Sequence, residues 1–152
     1  MATWEDLEKA EPEFAARVRR SLETRKHKTI ATLRADGSPR ISGIETEFAD
    51  GELRFGSMAG ARKGADLRRD PRFALHGPTS DPPEDDATAW PGEAKVAGRA
   101  RYGGGPGEEE PSGDLFRADI EEVVFTSLND DASALVIESW RPDRGLVRVE
   151  RA

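Results

Sequence analysis

Residues 55–76 read FGSMAGARKGADLRRDPRFALH. This pattern predicts a strand, a turn of small residues, a short helix and a second strand. Glycine in the turn leaves its backbone open to close approach by a ligand. Arg62 and Lys63 fall in the first turn of the helix, where the positive end of the helix dipole repels cations. Because helix N-termini and cations both attract anions, the stretch predicts a site for an anionic ligand such as a phosphate.

The charge of the chain restricts the kind of partner. The chain has 152 residues and a net charge of -7, which predicts one domain over residues 1–152 and disfavours nucleic-acid binding. Between Arg54 and Arg72, however, six cations accompany only two acids. A focused positive spot on an acidic protein favours a small anionic ligand over a polymer.

Other classes of site are disfavoured by composition. The chain has no cysteine and two histidines, which excludes disulfides and thiolate chemistry and predicts no metal site. The N-terminus lacks an apolar signal core, and no segment is apolar over membrane-spanning length. We therefore expect a cytoplasmic protein without a membrane partner.

Hydrophobic patterning predicts a mainly β protein. Residues 3–25 are expected to form two helices separated at Glu11-Pro12, with Phe14, Val18 and Leu22 in one apolar stripe. Short β-branched or alternating segments with turn signals between them then favour a barrel or sandwich. These expected strands cover residues 29–34, 39–48, 53–57, 72–77, 93–102, 115–128, 134–140 and 146–151. Residues 115–128 are compatible with one long strand or with a helix at their start, and residues 103–113 are expected to form a flexible acidic loop.

The order of these elements resembles the pyridoxamine 5'-phosphate oxidase-like superfamily, the flavin- or deazaflavin-binding split β-barrels. Residues 61–67 and the following Asp70-Pro71 are similar to its Ser-Arg-Lys-Gly-x-x-Leu…Asn-Pro pattern. Residues 40–45 resemble the strand that lies along the flavin, and Gly56-Ser57 the dipeptide that contacts it. The resemblance implies a six-stranded antiparallel split β-barrel with N-terminal helices.

The resemblance also implies a cofactor and the residues that bind it. Arg62 and Lys63 would hold the phosphate of FMN, and Ser57 would add a hydroxyl donor. The backbone of Arg40, Ile41 and Ser42, with the Arg40 side chain, would line the ring and the ribityl chain. Gly56 would contact FMN beside Ser57. Family members are homodimers with the cofactor at the subunit interface, so we expect a second copy of the chain as a partner.

Several positions depart from true pyridoxine phosphate oxidases. Glu45 replaces a lysine of the flavin strand, and its charge would repel a phosphorylated pyridoxal. The C-terminal Trp and Arg of those enzymes fall near Thr126 and Ala134, and the Trp140-Arg141 pair is a candidate replacement. These departures favour a different small-molecule substrate.

Three functions remain open at the level of sequence. The first is an FMN-dependent oxidoreductase, and the second is a reductase that uses the deazaflavin F420, whose polyanionic tail would require further cations such as Arg68, Arg69 and Arg72. The third is a protein without turnover: either a flavin- or haem-binding protein, or a barrel that has lost its cofactor and persists as an interaction module. No nucleophile triad or acid–base pair is recognisable, so no catalytic side chain is assigned. His76, Trp90 and Trp140 are interpreted as packing residues.

Overall fold

The computed structural model describes residues 1–103 and 113–152. Their helices are α1 (Trp4–Ala10), α2 (Pro12–Leu22) and α3 (Arg62–Arg69), with a 3₁₀ turn at Ala87–Ala89. The strands are β1 (His27–Leu33), β2 (Pro39–Ala49), β3 (Glu52–Met58), β4 (Arg72–His76), β5 (Glu93–Tyr102), β6 (Gly113–Leu128), β7 (Leu135–Arg141) and β8 (Gly145–Arg151). The expected strands are thus present, and residues 113–128 form a strand throughout.

Six of these strands close into a barrel. The sheet order is β3-β2-β1-β4-β5-β6-β7-β8, and an additional pairing of β3 with β6 completes the ring. All pairings are antiparallel, which confirms the predicted six-stranded antiparallel barrel. β7 and β8 extend the sheet beyond β6 as a hairpin.

The long strand β6 serves two parts of the molecule. Its first residues, Gly113–Arg117, pair with β3, whereas Val123–Leu128 pair with β7. The pairing of β5 with β6 shifts its register between Ala97 and Gly98. At this point the two strands lie so close that a side chain at Gly98 would overlap the backbone of Asp119. The strand can therefore bend from the barrel into the hairpin without losing its pairing to β5.

The N-terminal helices form as the sequence predicts. Thr3 and Asp6 make a reciprocal capping box at the start of α1, and Pro12 begins α2. Phe14, Val18 and Leu22 are all buried in the core. None of the helices in the described part of the chain is both long and apolar enough to cross a membrane.

The connection between β3 and β4 contains α3. The helix begins after the Gly60 turn, where φ is +77°, and ends at Asp70, because the proline that follows disfavours helical backbone in the residue before it. Leu67 packs into the core and fixes the helix against the barrel. Most of the expected loop at residues 103–113, including the run Glu108–Glu110, lies outside the described residues.

Candidate cofactor-binding site

The first turn of α3 has no side-chain cap. Its N-cap residue, Ala61, has extended backbone and no oxygen in its side chain to accept from the first N–H groups. Arg62 is exposed and Lys63 is half-buried, and neither forms an ion pair with any residue in ranges 1–103 and 113–152. The start of the helix therefore presents unpaired backbone donors and two cations to solvent, which is the electrostatic setting of an anion site.

Ser57 lies directly beneath this turn. Ser57 is 7% exposed, and its hydroxyl has no hydrogen-bond partner within the described part of the chain. A side chain at Gly64 would overlap the Ser57 hydroxyl and crowd the carboxylate of Asp114. The glycine thus lets the end of β3 pack against the first turn of α3. A buried polar group without a partner is costly, so the hydroxyl favours a ligand or water at this turn.

Asp66 joins α3 to two strands of the barrel. Its carboxylate accepts from Thr32 Oγ1 at 2.8 Å, from Arg40 Nε at 2.7 Å and from Arg69 Nη2 at 3.0 Å. Burial raises the pKa of Asp66, but the hydrogen bonds from Arg40, Thr32 and Arg69 outweigh it and leave the pKa below its ordinary value. Asp66 is therefore an anion that fixes the position of α3 relative to β1 and β2.

The flavin-strand candidates lie on an open edge of the barrel. Arg40–Glu45 pair with β1 on one side, whereas the pairing of β2 with β3 covers only Thr46–Ala49. On the other edge of residues 40–45, no strand in the described part of the chain pairs with the backbone groups. Ile41 points to the outer face and is 75% exposed, while Arg40 and Ser42 are half-buried. This is the split in the barrel, and it begins next to α3.

Gly56 and Glu45 line the same cleft at the other end of this split. The cleft has a volume of about 310 Å³ and also includes Glu47, Arg54 and Leu115. The Arg54 guanidinium is engaged by Glu52 at 3.0 Å and by Asp50 at 3.1 Å. Glu45 keeps 64% of its side chain exposed and lies 3.7 Å from His27. Glu45 and Glu47 therefore give this end of the cleft an acidic lining.

The other cations near α3 are paired with carboxylates. Arg68 lies 3.4 Å from Asp114, Arg69 binds Asp66 and the carbonyl of Leu33, and Arg72 lies 2.7 Å from Asp70. The hydrogen bonds from Arg72 lower the pKa of Asp70 to about 2. These arginines stabilise the helix and its C-terminus, whereas Arg62 and Lys63 have no such partner among the described residues.

The residues interpreted as packing groups have ordinary partners. His76 Nδ1 lies 2.7 Å from the carbonyl of Gly77, and Trp90 Nε1 donates to the carbonyl of Ser80 at 2.7 Å. Trp140 is buried in the core, and Arg141 Nε donates to Glu122 at 3.1 Å.

Sequence reasoning missed Asp66, Thr32 and Asp114. One signal for Asp66 is present in the sequence. It lies four residues after Arg62, so the two share one face of the helix. It also precedes Leu67, the apolar residue of the helix that enters the core. The roles of Thr32 and Asp114 depend on pairing between distant strands, which leaves no local pattern.

Comparison with known families identifies the family of the chain. The sequence profile described as pyridoxamine 5'-phosphate oxidase matches residues 14–150. The chain belongs to this family. A search of curated proteins finds no significant match.

Several solved structures share the fold of this chain. An FMN-binding, pyridoxamine 5'-phosphate oxidase-related protein from Nostoc punctiforme matches 100% of this chain and 98% of its own length, with 13% identity and a TM-score of 0.64. A haem-binding protein from Mycobacterium smegmatis matches 84% of this chain and 57% of its own length, with 17% identity and a TM-score of 0.62. An F420 reductase matches 69% of this chain and 94% of its own length, with 14% identity and a TM-score of 0.51. At these identities the likeness shows the shared fold.

Proposed function

We propose that this chain is an FMN-binding oxidoreductase of the pyridoxamine phosphate oxidase-like type that acts on a small molecule. The observation that carries the proposal is the first turn of α3. Its backbone donors are uncapped, Arg62 and Lys63 flank it, and the buried Ser57 hydroxyl beside it has no partner among the described residues. These are the groups that a phosphate ester requires.

The residues of the site fit FMN along its length. Arg62, Lys63 and the N-terminal N–H groups of α3 would hold the phosphate, with the Ser57 hydroxyl at the base of the turn. The open backbone edge of Arg40–Glu45 would supply hydrogen bonds to the ribityl chain and the ring, with Gly56 across the split. When bound, FMN supplies the hydride and electron chemistry, so the protein's part is to bind and orient.

The ion pairs around α3 favour FMN over F420. A polyanionic tail would need cations beyond Arg62 and Lys63, which we call the phosphate clamp. Arg68, Arg69 and Arg72 are each engaged by a carboxylate. A single phosphate needs only the pair Arg62 and Lys63. The two cations of α3 that have no carboxylate partner among the described residues therefore suit FMN, the cofactor with the single phosphate.

The cleft at Gly56 bears on the substrate. Glu45 and Glu47 both point to the outer face of β2, and Arg54 is held by acids of its own. Acidic groups at this end of the split repel a phosphorylated substrate. The proposed substrate is accordingly a small molecule other than pyridoxine phosphate.

A second copy of the chain is the proposed partner. The outer face of β1, β4 and β5 carries a groove of about 380 Å³ that Ala31, Ala74 and Ala97 line, with Ile41 at its rim. Val147 and Val149 of β8 are 41% and 47% exposed. A second copy of the chain that covers the groove and these valines would remove their apolar side chains from water. In the proposed dimer the cofactor lies at the edge of this interface.

Cofactor binding is tested by titration with a matched charge control. The purified protein is titrated with FMN, F420 and haem, and the absorbance and flavin fluorescence are recorded. The double variant Arg62→Ala/Lys63→Ala should lose FMN binding. Arg25→Ala/Lys26→Ala removes an adjacent, exposed Arg–Lys pair from the turn before β1 and should retain it.

Each outcome of that titration is decisive. FMN binding that only the α3 variant loses supports the proposal. Binding of F420 in place of FMN would assign the chain to the F420-dependent reductases, and binding of haem would assign it to the haem-binding proteins. No binding of FMN, F420 or haem overturns the proposal. If the protein binds FMN but oxidises neither NADPH nor any compound of a substrate panel, it is a flavin carrier.

The dimer is tested by sedimentation of two Ala→Glu variants. Ala74→Glu places a charge in the groove, whereas Ala35→Glu places it in the exposed turn between β1 and β2. Ala74→Glu should sediment as a monomer and Ala35→Glu as the wild-type dimer. A wild-type monomer, or a dimer in both variants, contradicts the proposed interface.

A further inference from the structure

We propose that Asp66 is a positioning residue for the anion site, because it holds the Arg40 guanidinium in place beside the phosphate clamp. This inference rests on the proposed function. The two side chains come from different elements, Arg40 from β2 and Asp66 from α3, and they meet at 2.7 Å through Arg40 Nε. The Asp66 side chain is only 4% exposed, so the pair is shielded from water on that side.

The contact engages only one nitrogen of Arg40. The two terminal nitrogens of its guanidinium have no hydrogen-bond partner among residues 1–103 and 113–152, and 18% of the side chain is exposed. A guanidinium is planar, so fixing Nε fixes the direction of the remaining donors. Arg40 is thereby left with a rigid, partly exposed pair of donor groups.

The place of this contact on α3 connects it to the clamp. Asp66 is four residues after Arg62, so the two occupy one face of the helix a single turn apart. Thr32 and Arg69 hold the same carboxylate from the other sides, at 2.8 Å and 3.0 Å. Three donors therefore hold the Asp66 carboxylate, and it ties Arg40 to the same helix that presents Arg62 and Lys63.

Positioning and simple electrostatics predict opposite effects for Asp66→Asn. If Asp66 acted only through its charge, its neutralisation would strengthen the binding of an anion one turn away. If it positions Arg40, the neutral amide holds the guanidinium less firmly and binding weakens. We expect Asp66→Asn to weaken FMN binding about fivefold to tenfold, which is the size typical of coupled neighbouring groups.

Asp70→Asn is the matched control. It removes the same charge from the C-cap of the same helix, where the partner is Arg72 and not Arg40. Its FMN affinity should equal or slightly exceed that of the wild type. Equal weakening in both variants would indicate a general effect on the helix and overturn the inference.

The double-mutant cycle of Arg40→Ala with Asp66→Asn isolates the pathway. In the Arg40→Ala background, Asp66→Asn should cause no further loss of FMN affinity. If the losses of FMN affinity in the two single variants add up in the double variant, Asp66 does not act through Arg40 and the inference is overturned. FMN binding by the wild type would still leave the proposed function intact. A wild type that binds no FMN overturns both.

A measurement on the cofactor-free wild type keeps the inference testable if Asp66→Asn does not fold. The ¹⁵Nε–H group of Arg40 should show the relaxation of an ordered backbone amide, and exposed arginines such as Arg20 or Arg117 should not. Fast internal motion of Arg40 Nε–H in the wild type would show that Asp66 does not hold it.

Discussion

Ser57 at the end of β3 and Gly64 in the first turn of α3 pack so closely that a methyl group on Gly64 would overlap the Ser57 hydroxyl. This contact places the start of the helix directly over the barrel. It also places an otherwise unpartnered hydroxyl beside the proposed phosphate site. The packing of the fold and the chemistry of the site therefore depend on the same pair.

The first prediction concerns Gly64→Ala. Because the new methyl group meets the Ser57 hydroxyl, we expect a loss of about 1–3 kcal/mol in the free energy of unfolding, together with weaker FMN binding. Denaturant unfolding measures the first effect. Gly43→Ala is the control, since no atom lies within 4 Å of its added Cβ.

Removal of the Ser57 hydroxyl should relieve the overlap. In the Ser57→Ala background, Gly64→Ala should cost less than it does in the wild type. A Gly64→Ala protein as stable as the wild type would show that α3 is not seated on β3 as described.

The second prediction concerns the anchor of the N-terminal helices. Arg17 of α2 donates to both carboxylate oxygens of Glu138 on β7, at 2.5 Å and 2.9 Å, and Glu138 is buried. Arg17→Ala leaves that carboxylate unpaired. Because Arg17 is itself partly exposed, we expect a loss of about 1–3 kcal/mol in the free energy of unfolding.

An exposed ion pair provides the comparison for Arg17. Arg148→Ala removes the partner of Glu150 on the surface of β8, and its effect should stay below about 0.5 kcal/mol. Urea denaturation of both variants measures the difference. Equal effects would show that Glu138 finds another partner.

The third prediction is a pH dependence of stability. The pKa of Asp66 is below its ordinary value in the folded protein, so ionised Asp66 stabilises the fold at neutral pH. This contribution is complete above the unfolded pKa of about 3.9 and is lost as the pH falls through the folded pKa. The difference in unfolding free energy between wild type and Asp66→Asn should therefore be constant at neutral pH and shrink in acid. A difference that grows in acid would contradict the ionised state of Asp66.

The fourth prediction concerns the cap of α1. Thr3 accepts from the backbone of Asp6 at 3.1 Å, and the Asp6 side chain accepts from the backbone of Thr3 at 2.9 Å. Thr3→Ala should reduce the free energy of unfolding by about 1 kcal/mol. Thr3→Ser keeps the hydroxyl and should retain most of the stability in the same thermal unfolding experiment. A loss in Thr3→Ser as large as in Thr3→Ala would assign the effect to the methyl group.

Local patterns explain why much of the fold was predictable. The Asp36-Gly37 turn and the β-branched residues beside it specify the β1–β2 hairpin, and Asp70-Pro71 specifies the end of α3. Both signals act over a few residues, through backbone conformation alone. The same holds for the capping box at Thr3 and for the break at Pro12.

The partners of the site residues were not predictable in this way. The sequence predicts Arg40 as a cofactor contact, but the contact of Arg40 with Asp66 joins residues 26 positions apart. The sequence offers Arg68 as a candidate for binding a cofactor tail, and Asp114 lies beside it only because β6 pairs with β3. No pattern within either segment specifies such a neighbour.

The sequence by itself determined most of the secondary structure and the resemblance to the family, because turn, cap and motif signals each act over a few residues. It also predicts the clamp of Arg62 and Lys63. Only the tertiary structure decided which donors remain unpaired around that clamp. Closure of the barrel by β3 and β6 brings Ser57 and Asp114 under α3, and the opening between β2 and β3 brings Arg40 to Asp66. Hydrogen bonds and ion pairs of this kind depend on distances in space, which the order of residues along the chain does not fix.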